Sequence, residues 1–166
     1  DLFRQQAENA FCRRRPAWYY GLCLSPPHSP LVGCFSADCR FYQRRFDLAV
    51  GERSDPHTFI EVKNVTLGPG PDDKDDGVIA FPDSVTERGQ KHLQTLMDVV
   101  ASGKRAVLFF CVQHSGATAA RPADEIDARY GQLLREAIEK GVEVLAWKVA
   151  LSAEGFELEK PLPIAL

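Results

Sequence analysis

The longest apolar run of the chain, at residues 106–112, constrains the fold more than any other feature of the sequence. It is far shorter than the roughly 20 residues that a membrane-spanning helix needs, so we expect no membrane span. A short run without polar residues is typical of a strand that is buried on both faces. Helical patterns lie on both sides of this run. A buried strand between two helices indicates a mixed α/β sheet.

Two amphipathic helices are predicted around this strand. Ser84 and Glu87 have the spacing of a capping box, which predicts that the first helix opens at Ser84. Gly103 has the position of a glycine that ends a helix. Asp127 is expected to cap the second helix, and Gly141 to end it. The apolar residues that we expect the first helix to bury are Val85, Leu93, Leu96, Met97 and Val100.

Strand patterns precede and follow the helices. Strands are predicted at residues 31–41, 46–50, 58–67, 106–112 and 142–151, and residues 156–158 are a candidate for a short last strand outside the order given below. A leading helix is expected at residues 1–16, and loops at residues 17–30, 51–57 and 68–82. The predicted order is α-β-β-β-α-β-α-β, which is a mixed central sheet flanked by helices. We expect a single domain at residues 1–166, with its core at residues 31–160.

Charge is distributed unevenly along the chain, and the net charge is −3. A standalone nucleic-acid-binding domain is usually basic, so the overall charge argues mildly against one. The first third is nevertheless basic, and the acidic excess lies later, notably at residues 72–76. Five Cys without a CxxC pair argue against a zinc site. They favour buried thiols in a reducing intracellular compartment, either a bacterial cytoplasm or an organelle.

The pattern with the most chemical content consists of Asp47, Glu61 and Lys63. Alternate residues of a strand share a face, so Glu61 and Lys63 would lie roughly 7 Å apart on one side of the sheet. A hairpin joins the strand of Asp47 to theirs and can set Asp47 beside Glu61. Two carboxylates at one place repel each other unless a cation binds there. Mg²⁺ or Mn²⁺ suits such oxygen ligands, and the backbone carbonyl of Val62 could be a further ligand.

These residue types suit the hydrolysis of a phosphodiester. Lys63 would orient or deprotonate a water at the metal and offset the charge of the phosphate. The spacing by itself leaves a simpler alternative open, in which Glu61 and Lys63 are an ordinary ion pair on a solvated face. The predicted topology favours the catalytic interpretation. A helix, three strands with these residues on the second and third, and then helix, strand and helix is the core order of the PD-(D/E)XK nuclease fold.

Two blocks of the sequence resemble the SfsA family, the sugar fermentation stimulation protein A family. Residues 59–67, with the sequence FIEVKNVTL, are similar to its EVKNVTL block. Residues 80–93 are similar to its FPD-x-VT-x-RG-x-KHL block. Residues 125–127 and 141–144 fit its closing helix and strand. Two long blocks in the right order argue against a chance likeness, and the resemblance extends over residues 30–160.

The resemblance implies a PD-(D/E)XK-like domain that follows an N-terminal OB-type domain, and association with DNA. We expect this chain to lack the OB-type part, so DNA binding would need that domain or another subunit, in an oligomer or a larger assembly. The candidates for an accessory role at the site are Glu8, Arg88, Gln90, Lys91 and His92. The candidates for nucleic-acid contact are Arg44, Arg45, Arg88 and Lys91.

Each accessory residue has a simpler alternative. Arg88 and His92 lie one turn apart and share a helix face, so they could contact the scissile phosphate, while Gln90 could orient water or backbone. The alternative is that Lys91 forms an i,i+4 pair with Glu87 and that the others are solvated. For Glu8 the alternative is an ordinary surface position.

Three functions therefore stay open. The first is a metal-dependent nuclease that acts on DNA, which intact Asp47, Glu61 and Lys63 favour. The second is a non-catalytic DNA-binding regulator, which would show salt-sensitive binding without turnover. The third is a structural subunit of a larger assembly that uses the nuclease-like fold as a scaffold. The acidic net charge and the expected lack of an OB-type domain favour the third.

Overall fold

Short antiparallel hairpins and parallel crossovers together build the sheet structure of this chain. The computed structural model describes residues 39–41, 44–52, 54–65, 77–152 and 155–166. The strands are β1 (Cys39–Phe41), β2 (Arg44–Phe46), β3 (Leu48–Glu52), β4 (Asp55–Val65), β5 (Val78–Phe81), β6 (Arg105–Val112), β7 (Ala119–Pro122), β8 (Glu143–Ser152) and β9 (Gly155–Leu162). The described helices are α1 (Glu87–Ala101) and α2 (Ala128–Glu139).

Strand β6 is the centre of the main sheet, as its apolar sequence predicts. The sheet has the order β3-β4-β6-β8-β9. β6 is parallel to both of its neighbours, while the outer pairs, β3 with β4 and β8 with β9, are antiparallel. Successive residues of β6 enter two different core clusters, since Leu108 and Phe110 lie in one and Val107 and Phe109 in the other. The predicted class, a mixed α/β sheet with helices, is confirmed at this level.

Both described helices pack against the same face of the sheet. Their buried side chains, such as Leu96 and Leu133, join the core cluster that contains Phe59. The second cluster lies on the opposite face and includes Ile60 and Trp147, and none of its members comes from a described helix. Neither α1 nor α2 is long and apolar enough to cross a membrane.

Helix α1 begins later than its sequence predicts. The prediction of a cap at Ser84 is wrong, because the N-cap is Thr86, whose hydroxyl accepts a hydrogen bond from the backbone of Gly89. Asp127 holds the backbone N–H of Thr86 at 2.9 Å, so a residue from another element helps to select this start. Val85 therefore precedes the helix and is exposed rather than buried. The predicted cap of α2 at Asp127 is confirmed.

The predicted strand at residues 46–50 is divided into two. β2 ends at Phe46, β3 begins at Leu48, and Asp47 forms a bend between them. β1 and β2 form a separate two-stranded sheet, so the three successive predicted strands do not share one sheet. Phe41 and Phe46 nevertheless pack on the main sheet, with ring centroids 5.3 Å and 5.2 Å from that of Phe59. Because of this bend, Asp47 is not part of the pairing between β3 and β4.

Strands β5 and β7 are missing from the sequence prediction, which has a loop at residues 68–82. They pair in parallel as a separate two-stranded sheet. Each has only four residues, which is too short for a clear alternation of polar and apolar residues. The described order is β-β-β-β-β-α-β-β-α-β-β, which differs from the predicted one over the same residues by β5, by β7, by the division at Asp47 and by the last strand, β9. The predicted helix at residues 1–16, the loop at residues 17–30, Glu8 and residues 72–76 lie outside the described residues.

Candidate functional site

The antiparallel register of β3 and β4 brings Asp47 to Glu61. Leu48 pairs with Ile60, so one further step in the same register sets Asp47 opposite Glu61. Asp47 no longer belongs to the strand there, and its Oδ2 accepts a hydrogen bond of 2.8 Å from the backbone N–H of Val62. The hairpin thus places two carboxyl groups beside each other at the point where β3 begins, on the stretch of β4 beyond its pairing with β3.

Glu61 is the buried centre of a polar cluster. It is 4% exposed and lies on the helix-facing side of β4, between Phe59 and Val65 of the core. Nζ of Lys63 lies 2.5 Å from Oε1 of Glu61. Nδ1 of His92, on α1, contacts the same oxygen and lies 3.0 Å from Nζ of Lys63. Glu61 therefore has contacts from its own strand and from the helix above it.

The surroundings shift the pKa values of the two carboxyl groups in opposite directions. Asp47 is partly exposed, but the desolvation that it does undergo raises its pKa, and the negative charge of Glu61 raises it further, although the hydrogen bond from Val62 opposes this. Burial also opposes ionisation of Glu61, but the hydrogen bond from His92 and the charge of Lys63 outweigh it and lower the pKa of Glu61. Carboxyl groups with opposed pKa shifts in one place are typical of functional sites.

The backbone of Val62 points toward the same edge as Asp47. In a strand, the N–H and C=O of one residue point to the same side. Because the N–H of Val62 bonds to Asp47, its carbonyl also faces this edge, just beyond the pair that Leu48 forms with Ile60. Among the described residues, no group of three His, Cys, Asp or Glu side chains is arranged to hold a metal. The oxygen set of Asp47, Glu61 and the Val62 carbonyl fits a hard cation that keeps water ligands.

The accessory candidates on α1 point in different directions. Nε of Arg88 lies 3.5 Å from Nε2 of His92, so both belong to the side of the helix that faces the site. Gln90 instead donates its amide hydrogens to the carboxylate of Asp127 at 3.0 Å. Lys91 is exposed and lies 3.7 Å from Glu87, as the alternative of an i,i+4 pair expects. The structure thus brings Arg88 and His92 to the site and turns Gln90 and Lys91 away.

The two arginines of β2 lie on the exposed surface. Arg44 borders a groove between the helices together with Gln94 and Arg129. Gln94 follows His92 by two residues, which is about 200° around the helix, so this groove lies on another side of α1 from Glu61. Arg45 is the next residue of the strand and is also exposed. Glu8 lies outside the described residues.

Sequence reasoning missed the cross-link between the two helix starts. Besides capping its own helix at the N–H of Tyr130, Asp127 accepts hydrogen bonds from Thr86 and Gln90. Burial opposes ionisation of Asp127, but these hydrogen bonds outweigh it and lower its pKa. Gly89 permits the close packing, since a Cβ there would come within 3.1 Å of the Tyr130 ring. Asp127 and Gln90 are 37 residues apart, and no local pattern links them.

The sequence matches one protein family over most of its length. The profile of the SfsA family, described as the sugar fermentation stimulation protein RE domain, matches residues 30–155. This chain belongs to the SfsA family. The match includes β4 with Glu61 and Lys63, and α1 with Arg88 and His92.

Two relatives place the chain within this family. It is 84% identical over 129 residues to the sugar fermentation stimulation protein homolog of Alcanivorax borkumensis, which covers 78% of this chain and 54% of that protein. It is also similar to the solved structure of Pyrococcus furiosus SfsA in complex with Ca²⁺, with a TM-score of 0.66 and 25% identity. That likeness covers 78% of this chain and 53% of the other. The chain thus spans about half the length of these relatives.

Proposed function

We propose that the chain is the PD-(D/E)XK-like part of an SfsA-family protein, and that it carries a metal-dependent phosphodiesterase site that acts on DNA. The observation that carries this proposal is the meeting of Asp47, Glu61 and Lys63 at one edge of the sheet. Two strands joined by a hairpin supply these three residues, and the bend at Asp47 turns its carboxyl group toward Val62. An ordinary ion pair on a solvated face would leave Glu61 exposed, whereas it is buried.

The ligand set supports Mg²⁺ or Mn²⁺ as the cofactor. Asp47, Glu61 and the carbonyl of Val62 would hold the ion through oxygen atoms. Desolvation raises the pKa of Asp47, and the negative charge of Glu61 raises it further; a bound cation would oppose both effects. The Pyrococcus furiosus relative was solved with Ca²⁺, another hard divalent cation that prefers oxygen ligands.

The side chains around Glu61 supply the remaining chemistry. A bound Mg²⁺ or Mn²⁺ would act as a Lewis acid toward the phosphate and the attacking water. The amine of Lys63 lies beside Glu61, where it can orient the water and offset charge that develops on the phosphate. Arg88 and His92 lie next to this position and can contact the phosphate oxygens.

The charge of the chain favours a second candidate, in which the fold is a scaffold or a non-catalytic DNA-binding subunit. The net charge is −3, and Lys91 lies beside Glu87 rather than at the site. DNA contact by this chain would then depend on an OB-type domain or another subunit, because a mixed-charge surface gives little electrostatic affinity for phosphate.

Cleavage assays with matched variants test the proposal. Asp47→Asn, Glu61→Gln and Lys63→Ala should each reduce Mg²⁺- or Mn²⁺-dependent DNA cleavage by about 100-fold or more, since each removes a group of the reacting site. Glu139→Gln, an exposed residue at the end of α2, is the control and should leave cleavage unchanged. Salt-sensitive DNA binding without cleavage by the wild type would favour the regulator, and neither binding nor cleavage would favour the scaffold.

A further inference from the structure

One oxygen of the Glu61 carboxylate is already bound by two side chains of the protein. Nζ of Lys63 lies 2.5 Å from Oε1, and Nδ1 of His92 contacts the same atom. The two nitrogens converge on one acceptor and therefore lie only 3.0 Å from each other. A carboxylate oxygen has about two positions at which it can accept a hydrogen bond, so Lys63 and His92 together saturate Oε1.

The two neighbours of the His92 ring identify Nδ1 as the donor to Glu61. An ionised carboxylate can only accept hydrogen bonds, so Nδ1 must carry the hydrogen of this contact. On the other side of the ring, Nε of Arg88 donates to Nε2 at 3.5 Å. The side chain of His92 is 20% exposed and belongs to α1, so the helix holds the ring against Glu61.

The second oxygen of Glu61 is unused in the part of the chain that the structure describes. No hydrogen bond or ion pair there involves Oε2 of Glu61. Asp47 has the same asymmetry, since Oδ2 accepts the N–H of Val62 at 2.8 Å while Oδ1 has no described partner. Each carboxylate therefore has one oxygen without a protein contact, and the carbonyl of Val62 faces the same edge.

The number of free oxygens affects divalent cations differently. Mg²⁺ has octahedral coordination and usually keeps several water ligands, so a single oxygen from each carboxylate is enough for it. Ca²⁺ is larger, takes about 6–8 oxygen ligands and is often held by both oxygens of one carboxylate. Because Oε1 is saturated, Glu61 cannot offer two oxygens, and this disfavours Ca²⁺ more than Mg²⁺.

We propose that His92 is a positioning residue that shifts the cation preference of the site from Ca²⁺ toward Mg²⁺, by holding Oε1 of Glu61 and leaving only Oε2 for the ion. The inference rests on the proposed function, from which it takes a cation at Asp47 and Glu61. Lys63 contributes less to this preference, because its flexible stem can follow a water or a phosphate, as its proposed role requires. The ring of His92 is shorter and is held by the helix.

Calorimetric titration of the full 166-residue chain with Mg²⁺ and with Ca²⁺, without nucleic acid, tests this inference separately from cleavage. The quantity compared is the ratio of the two dissociation constants, in which a general loss or gain of cation affinity cancels. His92→Phe keeps a ring but has no donor, so it frees one position on Oε1. It should shift the ratio toward Ca²⁺ by about tenfold. His92→Leu also removes the donor and should shift the ratio in the same direction.

His92→Asn is the matched control. The amide of asparagine can place an N–H close to the position of Nδ1, so this variant should keep the wild-type ratio. Thermal unfolding of the same samples shows whether the variants are folded. An unchanged ratio in His92→Phe and His92→Leu, or an equal shift in His92→Asn, would overturn the inference while the metal site stands. Absence of binding of both ions to the wild type at millimolar concentration would overturn the proposed metal site and the selectivity with it.

Discussion

Asp47 and Glu61 lie close together, yet the fold raises the pKa of Asp47 and lowers the pKa of Glu61. Glu61 receives contacts from Lys63 and His92, whereas Asp47 has a backbone hydrogen bond from Val62 and the repulsion of Glu61. A carboxyl group whose charge the fold disfavours costs stability, and such a cost is characteristic of binding sites. The effects of the two carboxyl groups on stability can therefore be distinguished by experiment.

Asp47→Asn and Glu61→Gln should change stability in opposite directions at pH 7 in the presence of a chelator. The pKa of Asp47 is raised in the folded state, so its penalty is absent below the unfolded pKa of about 3.9 and grows as the pH rises toward the folded pKa. The pKa of Glu61 is lowered, so its stabilisation is present above the unfolded pKa and is lost as the pH falls through the folded pKa.

Thermal unfolding from pH 3 to pH 8 measures both effects. Asp47→Asn should raise the midpoint at pH 7 and leave it unchanged near pH 3, and Glu61→Gln should lower the midpoint at pH 7. A lower midpoint at pH 7 for Asp47→Asn would mean that its bond to Val62 stabilises the fold more than the charge destabilises it.

Tyr130 provides a second prediction for a single residue. It is fully buried, and its hydroxyl has no hydrogen-bond partner among the described residues. Burial and the charges of Glu61 and Asp127 raise its pKa, so the hydroxyl stays protonated. Tyr130→Phe removes an unsatisfied polar group and should increase the free energy of unfolding by about 1 kcal/mol, measured by urea denaturation. A decrease of the same size would indicate that the hydroxyl is bonded.

The placement of Asp47 beside Glu61 and of Lys63 on the same strand face was predictable, because it follows from hairpin register and strand alternation. The contact between His92 and Glu61 was not, although His92 was an accessory candidate. It depends on how α1 is rotated and placed over β4, and the spacing of residues within either element does not contain that information. The opposite orientations of Gln90 and His92 depend on the same tertiary packing.

At the scale of secondary-structure elements, the two helices are tied together at their first turns by Asp127. This carboxylate caps α2 and also binds Thr86, the cap of α1. Since His92 reaches Glu61 from α1, the cross-link helps to hold the helix over the site. Asp127 is therefore a structural support of the candidate site rather than a part of it.

Asp127→Ala should lower the free energy of unfolding by about 3 kcal/mol, because it removes a helix cap and leaves buried N–H groups without partners. Asp124→Ala is the matched control. Asp124 lies three residues earlier and forms an exposed pair with Arg135 at 2.7 Å, so its loss should cost less than about 1 kcal/mol. Urea denaturation of both variants measures the difference, and equal losses would contradict the role of Asp127 as a cross-link.

Element prediction succeeded where the sequence is long and periodic. Strands β6 and β8 and the two described helices have clear patterns, and their observed bounds lie close to the predicted ones. The start of α1 was wrong because Ser84 and Thr86 both suit a cap, and only a bond from Asp127 distinguishes them. β5 and β7 were missed because each has four residues and finds its partner about 40 residues away.

At the scale of the whole molecule, the parallel strands β4, β6 and β8 form the centre of the main sheet. The candidate site lies at its antiparallel edge, where β3 pairs with β4. β4 belongs to both parts, since it pairs with β3 on one side and with β6 on the other. Glu61 thus lies on a strand that is paired on both sides, while Asp47 lies directly before the edge strand β3 begins. A rigid carboxylate beside a more exposed one suits a site that must admit both a cation and a substrate.

Calorimetric titration with Mg²⁺ and Mn²⁺ tests the central claim most directly. We expect that the wild type binds at least one of these ions at millimolar concentration or below, that Glu61→Gln abolishes the binding, and that Glu139→Gln, which changes an exposed carboxylate on α2, leaves it unchanged. Absence of binding in the wild type at millimolar metal, or equal binding by Glu61→Gln, would contradict a metal site at Asp47 and Glu61.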